Sequence, residues 1–92
     1  MRKYTCPCCG YKTLDNKPPG TYDICPICFW EDDWVQFDDP DYKGGANDPS
    51  LREAQRNFQT IGAYDEGSLK FVRKPNQDDE KDLEWKPLNW DN

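Results

Sequence analysis

Two cysteine pairs constrain this chain more than any other feature: Cys6-Pro7-Cys8-Cys9 and Cys25-Pro26-Ile27-Cys28. With Cys6 and Cys9 as the first pair they read C-x2-C-x15-C-x2-C, residues 10 to 24 lying between. Two residues between cysteines let one tight turn aim both sulfurs at a single ion, and two such turns complete a tetrahedral four-sulfur shell. The residue after the second cysteine of such a turn is often held at positive φ, which Gly10 adopts without a Cβ penalty. Phe29 occupies the matching place in the second turn. That turn is therefore expected either to be less regular or to run straight into "WEDDW" as a helical turn. A zinc ribbon and a treble-clef-like arrangement both stay open, with the ribbon favoured.

The rest of the chain makes a metal centre useful. At 92 residues, 35% hydrophobic and a mean hydropathy of −1.14, it should form one domain with a small core. A chain this short buries only about 60% of its unfolded surface, so a staple is expected. Five cysteines are an odd number for a disulfide framework, and the N-terminus shows no apolar run of a secretory kind. A reducing cytoplasmic setting follows, where closely spaced cysteines more often bind metal than each other. No segment approaches the roughly 18 to 20 apolar residues of a bilayer span.

The formal net charge is −6, and there is no histidine. Four thiolates on one divalent ion would take the charge to about −8. Such a surface repels phosphate backbones, so nucleic acid is a poor partner and a basic protein a better one. Arg2, Lys3 and Lys12, close to the first pair, read as charge compensation. One Zn2+ per chain is expected. Iron in a rubredoxin-like site is the rival, because tetrahedral sulfur does not separate the two metals. Four thiolates leave no open position for water on zinc. Ser50 and Ser68 lack a histidine to activate them, and no carboxylate pair stands out. The expected function is therefore non-catalytic, a zinc-binding protein-interaction module. Rubredoxin-like or thiol-based redox and electron transfer is the alternative.

In order, residues 4 to 37 read as short β-hairpins, with turn chemistry at Asp15-Asn16 and Pro18-Pro19-Gly20. An acidic loop, "DDPDYKGGANDP", follows. One amphipathic helix over about 49–61 comes next, on the spacing of Leu51, Ala54, Phe58 and Ile61. Asp48 with Pro49, or a Ser50–Glu53 capping box, would start it, and Gly62 would end it. "SLKFVRKP" reads as a short strand. The predicted architecture is a small α+β metal-bound domain over residues 1–75, with a polar Trp-containing tail over 76–92.

Cys8 is the surplus thiol. It is either a small packed residue or an exposed, oxidisable thiol able to resolve a ligand cysteine. Asp32, Asp33, Asp38, Asp39 and Asp41 form a solvated acidic loop or a contact surface for a basic partner. They lack the spacing of a calcium loop. Trp30, Trp34 and Phe37 are expected in the core, shielding the metal and packing on Phe58 and Ile61. Trp85 and Trp90 either strap back over the domain or anchor an interface.

"CPCCGYKTL", "YDICPICFWEDD" and "SLREAQRNFQTIGA", in that order, resemble the bacterial cysteine-rich proteins named for their C-P-C-C motif, over approximately residues 4 to 75. The resemblance implies zinc held by Cys6, Cys9, Cys25 and Cys28. Through relatives encoded near toxins, it also implies an immunity-protein (antitoxin) role against a basic toxin such as a nuclease.

Overall fold

The structure, a computed structural model, describes residues 3–88. Strand β1 (Tyr4–Thr5) pairs antiparallel with β2 (Lys12–Leu14), and Tyr4 faces Leu14 across the pair. The cysteine turn between them is closed by Gly10 N–H donating to the Cys6 carbonyl at 2.9 Å and Cys6 N–H donating to Tyr11 at 2.9 Å. A second turn repeats this pattern. Phe29 N–H donates to Cys25 at 2.8 Å, Cys25 N–H to Trp30 at 3.0 Å, and an isolated antiparallel bridge joins Ile24 to Glu31.

The repeat extends to the backbone after each pair, where Gly10 has φ 81° and Phe29 φ 70°. The second turn is thus as regular as the first, and no helical turn starts at Trp30. For a bulky side chain the left-handed region costs roughly 1–2 kcal/mol. Phe29 adopts it with its ring stacked on Phe71, centroids 5.0 Å apart.

Helix α1 (Trp34–Asp38) is a single turn capped by Asp33, whose carboxylate accepts from the N–H groups of Val35 and Gln36. Helix α2 (Leu51–Ile61) starts on the Ser50–Glu53 capping box rather than on Asp48. It ends at Gly62, left-handed at φ 83°, where a Cβ would be strained. Between the helices, the Gly- and Asp-rich loop is held from inside. The buried Gln36 amide donates to the carbonyls of Tyr42, Asn47 and Pro49, and its oxygen accepts from Asn47. Asn47 in turn pairs with both backbone groups of Glu31.

Two expectations fail here. "SLKFVRKP" forms no strand; a 3₁₀ turn spans Glu66–Ser68 and irregular chain follows. Trp34 and Phe37 are 60% and 42% exposed, and Ile61 is exposed too. A one-turn helix can bury only one stripe, and here Gln36 fills it. Trp30 alone of the three aromatics is buried, edge-on to Tyr64. The core is the five cysteines with Leu14, Ile27, Trp30, Leu51 and Ala54, and Phe58 packs against it.

Residues 80–85 return to the first cysteine turn. Lys12 N–H donates to the Glu80 carbonyl, Asp82 N–H to Gly10, and Lys81 bridges Tyr11. Trp85 lies so close over Gly10 that a Cβ there would meet its ring at 2.5 Å. Among the described residues, no helix is long and apolar enough to cross a membrane.

Candidate metal centre

The two cysteine turns face each other and bring four sulfurs together. The Sγ atoms of Cys6, Cys9, Cys25 and Cys28 all lie within 4.8 Å of one another, and all four residues are buried. Cys6 and Cys28 are 3.6 Å apart, and Cys9 and Cys25 are 3.7 Å apart. A tetrahedron with Zn–S of about 2.3 Å has an edge of about 3.8 Å. The donor set therefore fits one ion of that size.

Electrostatics point the same way. Without a cation, burial pushes the Cys6 and Cys28 thiols well up. Cys25 is pushed far down by hydrogen bonds from Cys28, Cys6 and Cys9, with help from Thr13. A divalent ion is what would let all four ionise in so buried a place.

Groups around the sulfurs fix their orientation, as outer partners do for metal ligands. The Thr13 hydroxyl donates to Cys25 Sγ at 2.9 Å, and Trp30 N–H donates to Cys28 Sγ at 3.4 Å. Tyr64 N–H holds the Cys28 carbonyl at 2.8 Å. Helix α2 clamps the other turn, where buried Gln55 donates to the Pro7 carbonyl at 2.9 Å and accepts from Leu88 N–H at 2.7 Å. Sequence reasoning passed over Thr13 and Gln55. Thr13 follows its cysteine turn on a strand, a signal that was available; nothing local marks Gln55.

Cys8 is fully buried inside the first turn, with no face to solvent. Its counterpart in the second turn, Ile27, is equally buried. Burial raises the Cys8 thiol, the state of an inert packed cysteine rather than a reactive one. The exposed, oxidisable thiol is therefore not what the fold presents.

The aspartates divide. Asp32 is 0% exposed and accepts from Thr21 N–H and the Thr21 hydroxyl. Asp33 caps α1 and also accepts from Ala46 N–H. Both serve the fold and lie off the contact surface expected of them. Asp38, Asp39 and Asp41 are exposed, and Asp41 pairs with Arg52. Lys3 and Lys12, near the cysteines, pair with Asp15 and Glu80; Arg2 lies outside the described residues. Trp85 is strapped back, its indole donating to the Pro7 carbonyl at 3.1 Å. Trp90 lies outside the described residues.

A comparison with curated proteins gives no match. The family model described as "Cysteine-rich CPCC" matches residues 4–79, and it spans both cysteine turns and both helices, ending just before the returning segment. The chain belongs to the cysteine-rich CPCC family.

Proposed function

We propose that this chain is a zinc-stabilised, non-catalytic protein-interaction module for a basic partner. The four buried sulfurs, all within 4.8 Å of one another, carry the reading. Cys6, Cys9, Cys25 and Cys28 would hold the ion, and the ion would supply cross-linking of two turns that have little other core to join them. All four positions of a zinc shell are then protein sulfur, which leaves none for substrate. The net charge of −6, with Asp38 and Asp39 exposed, supports a cationic partner.

Elemental analysis of protein purified without added metal tests this, paired with thiol counts before and after unfolding in chelator. One zinc per chain, no thiol reactive in the native protein and five after unfolding are expected. Iron in place of zinc would turn the reading to electron transfer. A narrower form is immunity against a basic toxin encoded alongside, supported by the acidic balance. Co-expression that leaves such a toxin fully active removes it.

A further inference from the structure

Between the first cysteine turn, α2 and the returning segment lies an open groove of about 410 Å³. Pro7, Phe37, Pro40, Leu51, Trp85 and Leu88 give it an apolar part, and polar and charged side chains complete its lining. Phe37 is 42% exposed there, on a helix turn that also turns Trp34 and Val35 to solvent. In so small a chain, outward-facing aromatics beside an apolar cleft mark a binding surface rather than scattered exposure.

The charges around the groove select its occupant. Asp82 and Glu84 line it against a single cation, Lys86, and Asp38 and Asp39 sit in the chain between Phe37 and Pro40. The Asp82 carboxylate accepts from the Thr5 hydroxyl and from Glu84 N–H, which keeps its charge at the groove. A second copy of this chain, at net charge −6, would meet like charge. Residues 89–92, which follow Leu88 in the sequence, carry Trp90, but they bring Asp91 and no cation.

We infer that the groove receives a cationic polypeptide segment of a partner, one large apolar side chain seated between Phe37 and Leu88 and flanking lysines or arginines set against Asp38, Asp39, Asp82 and Glu84. This rests on the reading of the chain as a module for a basic partner, and names its surface.

The test uses the full, metal-loaded chain and two synthetic hexapeptides. Each carries a central Trp-Leu pair, flanked on both sides by two arginines in one and by two glutamates in the other. Binding is followed by amide chemical shifts. The arginine peptide should bind, weaken with salt, and shift residues of the groove; the glutamate peptide should not bind. Phe37→Ser should weaken binding at least tenfold, whereas Leu69→Ser, at an exposed position away from the groove, should leave it unchanged. Lys86→Glu should strengthen it several-fold, a gain that misfolding cannot mimic.

Equal binding of both peptides overturns the inference. So does arginine-peptide binding that shifts residues elsewhere, although the broader reading of a basic partner then survives. No binding of the arginine peptide anywhere removes both. Binding that appears only after residues 89–92 are deleted gives the groove to the chain's own end. Concentration-dependent dimerisation that Phe37→Ser abolishes gives it to a second copy.

Discussion

The indole N–H of Trp85 donates to the carbonyl of Pro7 at 3.1 Å, joining residues 78 positions apart. The bond lays the ring over Gly10, the left-handed residue that closes the first cysteine turn. The returning segment therefore acts on the first cysteine turn itself.

Trp85→Ala should cost about 2 kcal/mol, less than the loss of a fully buried Trp because the ring is only partly covered. Gly10→Ala should cost about 1–2 kcal/mol for its backbone alone and more for the collision with Trp85. In the Trp85→Ala background the collision disappears, so Gly10→Ala should become cheaper by about 1 kcal/mol or more. Denaturant unfolding of the four metal-loaded proteins measures this. Additive costs would mean the ring does not press on Gly10.

Cys8 packs where Ile27 packs in the second turn. Cys8→Val should therefore cost less than about 1.5 kcal/mol and leave metal stoichiometry at its wild-type value. Cys8→Ser should cost more, about 1–3 kcal/mol, because it buries a hydroxyl. Metal content and unfolding midpoints check both. Loss of metal in Cys8→Val would make Cys8 a ligand.

Asn47, itself buried, joins the acidic loop to Glu31 and to Gln36 through hydrogen bonds. Asn47→Ala leaves several of these groups unpartnered and should cost about 2–4 kcal/mol. Hydrogen exchange should show amide protection lost across the loop first, before the cysteine turns. Unchanged protection would contradict the role given to this network.

Glu53 titrates below the usual carboxylate range, chiefly because the Ser50 N–H of the capping box donates to it. A carboxyl lowered in the folded state adds stability above its unfolded pKa of about 4.3, and that stability is lost as pH falls through the lower folded value. The Glu53 side-chain carbonyl resonance should therefore show a midpoint below that of a model peptide. Glu53→Gln should flatten this part of the pH dependence of helix stability. An unshifted midpoint would remove the capping box as its cause.

Much of this was legible in the sequence, for local reasons. The cysteine spacing, Gly10, the Ser50–Glu53 box and Gly62 each encode a short-range geometry that few other residues satisfy. Phe29 was not legible, since its left-handed backbone is held by the second turn's hydrogen bonds and comes with a stack on Phe71, 42 residues away in sequence. Asp32 and Asp33 look like solvated charge in the sequence because nothing local reveals that they would be buried with N–H donors from Thr21 and Ala46. Trp34 and Phe37 have the hydrophobicity of core residues, but α1 is too short to bury them as well as Gln36. Gln36 and Asn47 gave no signal at all, because their partners are carbonyls set by the loop they organise.

The central claim is that an ion held by Cys6, Cys9, Cys25 and Cys28 joins the two turns and with them the fold. The most direct measurement follows the amide spectrum of the metal-loaded protein while a strong chelator withdraws the metal and the released ion is counted. One ion per chain should leave, dispersion should collapse in step with its release, and both should return when zinc is restored under reducing conditions. Apparent zinc binding of about 10–16 kcal/mol in finger peptides is as large as the whole stability of a small domain, which leads to this expectation. A chain that keeps its full dispersion with the metal gone would contradict the claim.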